Sequence, residues 1–321
     1  MEQVHERGLR YFPIALFASV MGISGVTMSV KLFENMYGLR HGVSTVFLIL
    51  ASLLFLINGG MLLYRLIRFP DDVQKDFNHP VKMNFFAAIS ISLLLLSVPY
   101  FEINERFSFY LWIAGVMLQL IFTIVILTKV IWKHTFEVPQ FTPAWFIPIV
   151  GNLVVPLAGV YHADEDLNWM FFSMGLFFSI IYITIFLFRM FFHPVLPPKL
   201  RPTFFILLAP PGVGMVSYFK IVGELDAFAY ILFGIAIYLG LFLIFQFKRL
   251  FTIPFFISWW AYLFPSAAVT NATYFMYAET GKEFYSWLFQ LQIAGLFVLV
   301  AYLLWKTIQL VMHRDLCIKE G

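Results

Sequence analysis

Ten stretches of the chain contain no Asp, Glu, Lys or Arg: 11–30, 42–64, 83–101, 107–128, 138–161, 167–188, 202–219, 227–247, 250–278 and 284–305, together 220 of 321 residues. A helix rises about 1.5 Å per residue and needs roughly 17 to 25 apolar residues to cross a bilayer, so each stretch is long enough to span. Soluble domains carry about 25 % charged residues. Here the fraction is 12 %, against 61 % hydrophobic types and 40 Phe. A soluble globular fold is excluded. The pattern predicts an all-α integral membrane protein of ten transmembrane helices, a single transmembrane domain over 1–321.

The segments between the stretches are too short for a nucleic-acid-reading module, so no nucleic acid is expected as a partner. The lone Cys317 allows no intrachain disulfide. The stretch 11–30 lacks a small-residue cleavage pattern and reads as a retained helix rather than a removed signal.

Orientation follows from the basic residues. With both termini and the even-to-odd connectors on one side, that side holds sixteen Lys and Arg, and the other holds Lys31, Arg40, Arg106, Lys220 and Lys282. This bias places both termini in the cytoplasm. Eight acidic residues lie inside and ten outside, so the two mouths carry net +8 and −5.

Prolines reveal a repeat. Eleven of the 16 lie within the stretches, all in odd-numbered ones: Pro13; Pro99; Pro139, Pro143, Pro148 and Pro156; Pro202, Pro210 and Pro211; Pro254 and Pro265. The chain therefore reads as five helical hairpins, about 11–69, 81–132, 144–192, 202–247 and 253–312. A proline removes a backbone donor and leaves the carbonyl four residues earlier unpaired, which a membrane tolerates only where protein or a water-filled cavity satisfies it. The kinked odd helices are expected inside, around a central pathway, and the straight even helices outside. All five inner helices start on the basic side, where helix N-termini and loops favour small inorganic or organic anions.

No carboxylate, Lys or Arg lies in a stretch, and all seven His lie outside them too. Proton-coupled carriers keep such a group inside the membrane, so the pattern suits a passive conduit with a hydrophobic constriction. No nucleophile–base or metal-ligand spacing stands out, and neither enzymatic activity nor a metal or other cofactor is expected. His162 with Asp164, Glu165 and Asp166 reads as a solvated acidic loop, and Asp71, Asp72, Lys75 and Asp76 as a solvated connector. Gly59 with Gly60, and Gly234 with Gly240, mark candidate close helix contacts, within the chain or between subunits.

Five motifs carry a resemblance: YFPIAL at 11–16, HPVKMNFFA at 79–87, FIPIVGNLVVPLAGVYH at 146–162, LRPTFFILLAPPGV at 200–213 and WWAYLFPSAAVTNAT at 259–273. In this order the chain resembles the tellurite-resistance/dicarboxylate transporter family, which includes bacterial TehA and the slow-type anion channels of plants. The resemblance implies a quasi-five-fold bundle around a central pore, assembly as a homotrimer, and an aromatic ring of the ninth helix plugging the pore. The family pattern W-A-aromatic-x-Phe falls on Trp260 to Phe264, making Phe264 the gate candidate and Tyr262 its rival. Two departures stand out, since this chain has Pro13 and Pro265 where bacterial relatives have glycine.

Candidate pore-lining or kink residues are Pro13, Pro99, Pro156, Pro210, Pro211, Gly212, Val213 and Pro265, with Asn152 and Asn271 preferred among the polar residues of the inner helices. The others, Asn84, Ser90, Ser92, Ser217, Ser266, Thr270 and Thr273, are expected to tie helices together. The function implied is a passive anion channel or facilitative anion exporter. A proton-coupled C4-dicarboxylate or sulfite transporter of the same family is the alternative.

Overall fold

The computed structural model describes residues 7–133 and 136–318. Nine helices among them are long and apolar enough to cross a membrane: α1 (Ile14–Met36), α2 (Gly42–Arg68), α3 (Lys82–Tyr100), α4 (Glu105–Trp132), α5 (Pro143–His162), α6 (Glu165–Phe192), α7 (Pro198–Val222), α8 (Ala227–Phe245) and α10 (Glu283–Met312). The remaining span, α9, joins Ile257–Tyr262 to Leu263–Thr280. Pro265, Ser266, Thr270, Asn271 and Thr273 dilute its hydropathy, yet eleven of its 18 α-helical residues are buried. The chain is a multi-pass, all-α membrane protein.

Inner and outer helices separate as the prolines predict. In the most apolar window of α1, α3, α5 and α7, 72–89 % of residues are buried, against 17–33 % in α2, α4, α6, α8 and α10. The odd helices pack in a closed cycle, α1 on α3, α3 on α5, α5 on α7, α7 on α9 and α9 on α1. Each even helix lies against its own hairpin partner and the next inner helix, with α10 reaching back to α1.

Each inner helix begins as a 3₁₀ segment: Ile14–Leu16, Lys82–Phe86, Pro143–Phe146, Pro198–Leu208 and Ile257–Tyr262. In three of them a proline just beyond the junction supplies the cause. Pro148 cannot donate to the Ala144 carbonyl, which instead accepts from Ile147 N, three residues on. Pro210 leaves the Ile206 carbonyl to Ala209 N in the same way, and Pro265 deprives the Ala261 carbonyl of its α-type donor. At Pro156 the helix itself breaks, between Ile147–Val154 and Pro156–His162. There Trp112 Nε1 of α4 donates to the Val155 carbonyl at 3.0 Å, and the Ser217 hydroxyl of α7 donates to that of Leu153. Neighbouring helices thus add donors at the break that lipid could not supply, and the Val155 carbonyl also keeps Gly159 N at 3.0 Å.

The connector between α2 and α3 is a correction. It forms a short helix, Pro70–Asn78, whose Asp71 and Lys75 stay exposed while Asp72 and Asp76 are held by charge. Arg65, buried in the last turn of α2, donates to the Phe12 carbonyl at 2.8 Å and to Asp76 at 2.7 Å, and Lys82 reaches the other oxygen of Asp76 at 3.0 Å. Arg10 pairs with Asp72 at 2.8 Å and holds its carboxyl below the ordinary aspartate value. These contacts fix the entrance of α1 to the side bearing the chain termini. Within the chain, a Cβ at Gly59, Gly60 or Gly234 would meet nothing within 4 Å, so these glycines make no close contact between helices of one protomer.

Candidate pore and its aromatic gate

A cavity of about 30 Å³ sits where the 3₁₀ segments pass into α-helix. Every inner helix contributes to its wall: Ala18 and Met21 from α1, Phe85 and Ile91 from α3, Ile147 and Val150 from α5, Ile206 and Ala209 from α7, and Trp260, Ala261, Phe264 and Pro265 from α9. The lining side chains are apolar, and the indole N–H of Trp260 is directed away to the Thr307 hydroxyl at 3.0 Å. A water needs roughly 10–15 Å³ of such space and two or more polar partners, so this wall holds no ordered water chain.

Phe264 is held by close approach of α1 to α9. A Cβ at Gly25 would lie 3.4 Å from Phe264 Cδ2, and one at Gly22 would lie 2.8 Å from Leu263 Cδ2. These two glycines let the α9 backbone come near enough to place the ring in the cavity. On the opposite flank, a Cβ at Gly212 of α7 would lie 3.1 Å from Val269 N.

Tyr262, two residues earlier, is seated differently. It is fully buried, with its ring against Phe205, Phe251 and Trp259 at centroid distances of 4.6, 4.8 and 5.3 Å, and its hydroxyl donates to the Leu250 carbonyl at 2.6 Å. It forms no part of the cavity wall. No ring contact to Phe264 occurs among the described residues.

Of the other sequence candidates, only Pro265 lines this cavity. Pro210, Pro211, Gly212 and Val213 form the first turn of α-helix in α7, and Pro156 marks the break in α5. Pro99 is buried near the far end of α3, and Pro13 precedes the first 3₁₀ segment. Asn152 donates to Thr123 Oγ1 and the carbonyls of Pro148 and Ile149 at 3.0–3.1 Å, while Asn271 accepts from Ser29 of α1 at 2.6 Å. Both asparagines tie helices together and neither borders the cavity. Ser90 and Ser217 also bond across helices, to Gln119 Oε1 and the Leu153 carbonyl, whereas Ser266, Thr270 and Thr273, expected to tie helices together, donate to carbonyls four residues back in α9 itself.

The cavity wall contains no titratable side chain. Glu34, Arg65 and Arg189 are buried near span ends instead. The Glu34 carboxylate caps α2, accepting from Val43 N at 2.8 Å and Ser44 N at 3.3 Å, and Arg189 reaches the Pro139 carbonyl at 3.5 Å. His162 corrects the loop expectation. It is the last residue of α5, packed against Phe101, Phe109 and Trp112, with Nε2 2.8 Å from Ser108 Oγ. Among the described residues no group of His, Cys, Asp and Glu could hold a metal ion.

Sequence reasoning passed over most of the wall. Ala18 with Met21, Ile147 with Val150 and Ile206 with Ala209 repeat at helical spacing beside the junctions, which is the signal that would have found them.

Comparison with known proteins agrees with this architecture. The chain is 27 % identical over 293 residues to the tellurite resistance protein TehA homolog of Haemophilus influenzae, covering 90 % of this chain and 89 % of that one. It is 28 % identical over 276 residues to the S-type anion channel SLAH2 of Arabidopsis thaliana, covering 82 % of this chain and 52 % of that one. An uncharacterized transporter of Methanocaldococcus jannaschii, MJ0762, is 25 % identical over 301 residues, 86 % of this chain and 87 % of its own. The family model described as voltage-dependent anion channel matches residues 11–308, and the chain belongs to that family, SLAC1, of anion channels and transporters.

Proposed function

We propose that the chain is a passive anion channel or facilitative exporter, with a path through the ring of inner helices closed by the side chain of Phe264. The observation that carries this reading is the position of that ring in a wholly apolar cavity to which all five inner helices contribute. An anion entering it would lose its water and gain no donor, at a cost of several kcal/mol or more, and a constriction of this kind gates by excluding water. The open state then requires the ring to leave the axis. A change of rotamer moves a phenyl ring without moving a helix, and no aromatic ring among the described residues stacks on Phe264 to hold it. Helix N-termini and basic connectors on one side would gather anions at the entrance. The same basic bias supports cytoplasmic termini in an inner membrane, and the family relation supports a homotrimer.

The test is anion current in planar bilayers across a chloride or nitrate gradient. The expected result is a small wild-type current and an anion-selective current at least tenfold larger for Phe264→Ala. Tyr262→Ala should not open the path, because its ring lies outside the cavity. Absence of current in both, with uptake of a C4-dicarboxylate or sulfite driven by a pH gradient in proteoliposomes, would replace the channel with a coupled carrier.

A further inference from the structure

Two lysines stand near the acidic-side ends of the inner helices, in different company. Lys31 of α1 pairs with Glu102 at 2.7 Å. Lys220, in the last turn of α7, has no carboxylate within salt-bridge distance among the described residues. Its Nζ donates to the Leu157 carbonyl of α5 at 3.1 Å and to the Tyr161 hydroxyl oxygen at 3.4 Å, and lies 4.9 Å from the centroid of the Tyr161 ring. An ammonium group has three hydrogens, so one remains unused. Tyr161 accepts from Lys220, and its own O–H meets no acceptor among the described residues. Two free donors therefore lie side by side, carrying one net positive charge.

Register and surroundings place this pair at the mouth of the candidate path. Lys220 follows the cavity-wall residue Ala209 by eleven positions, so it lies about 20° from it around the α7 axis, three turns farther on. Tyr161 is 50 % exposed, so the pair is open to solvent on one side. Phe101 stacks on Tyr161 at 4.4 Å, and Phe219 lies against Phe275 of α9 at 5.0 Å.

We propose that Lys220 and Tyr161 form an anion-binding site at the acidic-side mouth, selective for a monovalent anion such as chloride or nitrate. The proposal rests on the reading of the chain as an anion conduit and extends it to a second station on the same path. One ammonium matches one negative charge. The connectors on this side carry Asp164, Glu165, Asp166, Glu224 and Asp226, which repel a second. Sulfate is therefore the discriminated anion.

Binding and conduction are measured separately, so that failure of one reading is distinguishable from failure of the other. Full-length protein in nanodiscs is titrated with chloride, nitrate or sulfate against a gluconate background, following the thermal midpoint. Wild type should be stabilised saturably by chloride and nitrate and not by sulfate. Lys220→Met should raise the half-saturating nitrate concentration at least tenfold, Lys220→Arg should restore it within about threefold, and Tyr161→Phe should fall between. A lysine that only complements the helix C-terminus would lower the midpoint of Lys220→Met equally in every salt. That result, or unchanged nitrate saturation in Lys220→Met, would overturn the site. Should Lys220→Met fail to fold, Tyr161→Phe decides, since unchanged saturation there with Lys220→Arg also unchanged contradicts the two-donor geometry. In the Phe264→Ala background, Lys220→Met should reduce current carried by anions entering from the acidic side at least threefold, with a smaller effect on entry from the basic side. Current in Phe264→Ala with no such asymmetry would sink the site and leave the conduit standing.

Discussion

The inner and outer helices are equally free of charge in their cores, yet they occupy opposite environments. On the outer helices, Leu56, Phe177 and Leu291 are 67, 60 and 71 % exposed. Lipid tails are as apolar as these side chains, so no hydrophobic penalty drives them inward. On the inner helices the backbone is defective, and the carbonyls of Leu153 and Val155 take side-chain donors from α7 and α4. In a bilayer, hydropathy identifies a span but does not say which spans are central. Backbone that needs a partner does.

The comparison can be broken or sharpened by substitution. The largest stability effect is expected at the charged edge of the inner ring. Arg65→Ala leaves Asp76 with Lys82 alone and empties a buried site, at a cost of about 3–5 kcal/mol, read as loss of the folded fraction in detergent denaturation. Gly22→Val follows, because its Cβ would lie 2.8–2.9 Å from Leu263 side-chain carbons. Overpacking there should cost about 1–3 kcal/mol and displace the α9 segment that carries Phe264. Trp112→Phe removes one of the two donors to the Val155 carbonyl, which keeps Gly159 N, and shrinks a buried ring, and should cost about 1–3 kcal/mol. Leu56→Ala, on the lipid face, should change stability by less than about 0.5 kcal/mol. An effect of Leu56→Ala as large as that of Trp112→Phe would dissolve the distinction between the two rings.

The smallest effect is in pH. Asp72 is held below the ordinary carboxyl value of 3.8, chiefly by the hydrogen bond from Arg10. A depressed folded pKa contributes stability that is present above the unfolded value and lost as pH falls through the folded one. The Arg10–Asp72 contribution should therefore be constant at neutral pH and fade below about pH 4. Asp72→Asn should flatten that part of the thermal-midpoint profile and leave the rest unchanged.

Much of the architecture was legible from two signals. Charge-free runs marked the spans, and prolines confined to alternate runs separated inside from outside. The limits have physical causes. α9 falls short in apolarity because the helix carrying the gate candidate also carries Ser266, Thr270 and Thr273, whose hydroxyls bond its own carbonyls, and Asn271, which bonds Ser29 of α1. Arg65 and Arg189 lie one residue beyond charge-free runs, yet their helices continue through them and bury both side chains. Pro70–Asn78 looked like a solvated connector, because its partners Arg10 and Arg65 are remote in sequence. Phe264 was picked out among 40 Phe only by its motif. The rest of the cavity wall consists of Ala, Ile, Val, Met, Phe and Trp side chains that nothing but three-dimensional convergence sets apart.

The central claim, that the path runs inside the ring of odd helices past Phe264, is tested most directly by cysteine accessibility. In a Phe264→Ala chain with Cys317→Ser, Ala209→Cys places a thiol on the cavity wall and Leu56→Cys places one on the lipid face. A charged methanethiosulfonate reagent applied from the basic side should change the anion current of the Ala209→Cys channel by more than half and leave that of Leu56→Cys unaltered. An Ala209→Cys current that persists unchanged while the Leu56→Cys current is modified would place the path outside the inner ring and contradict the account.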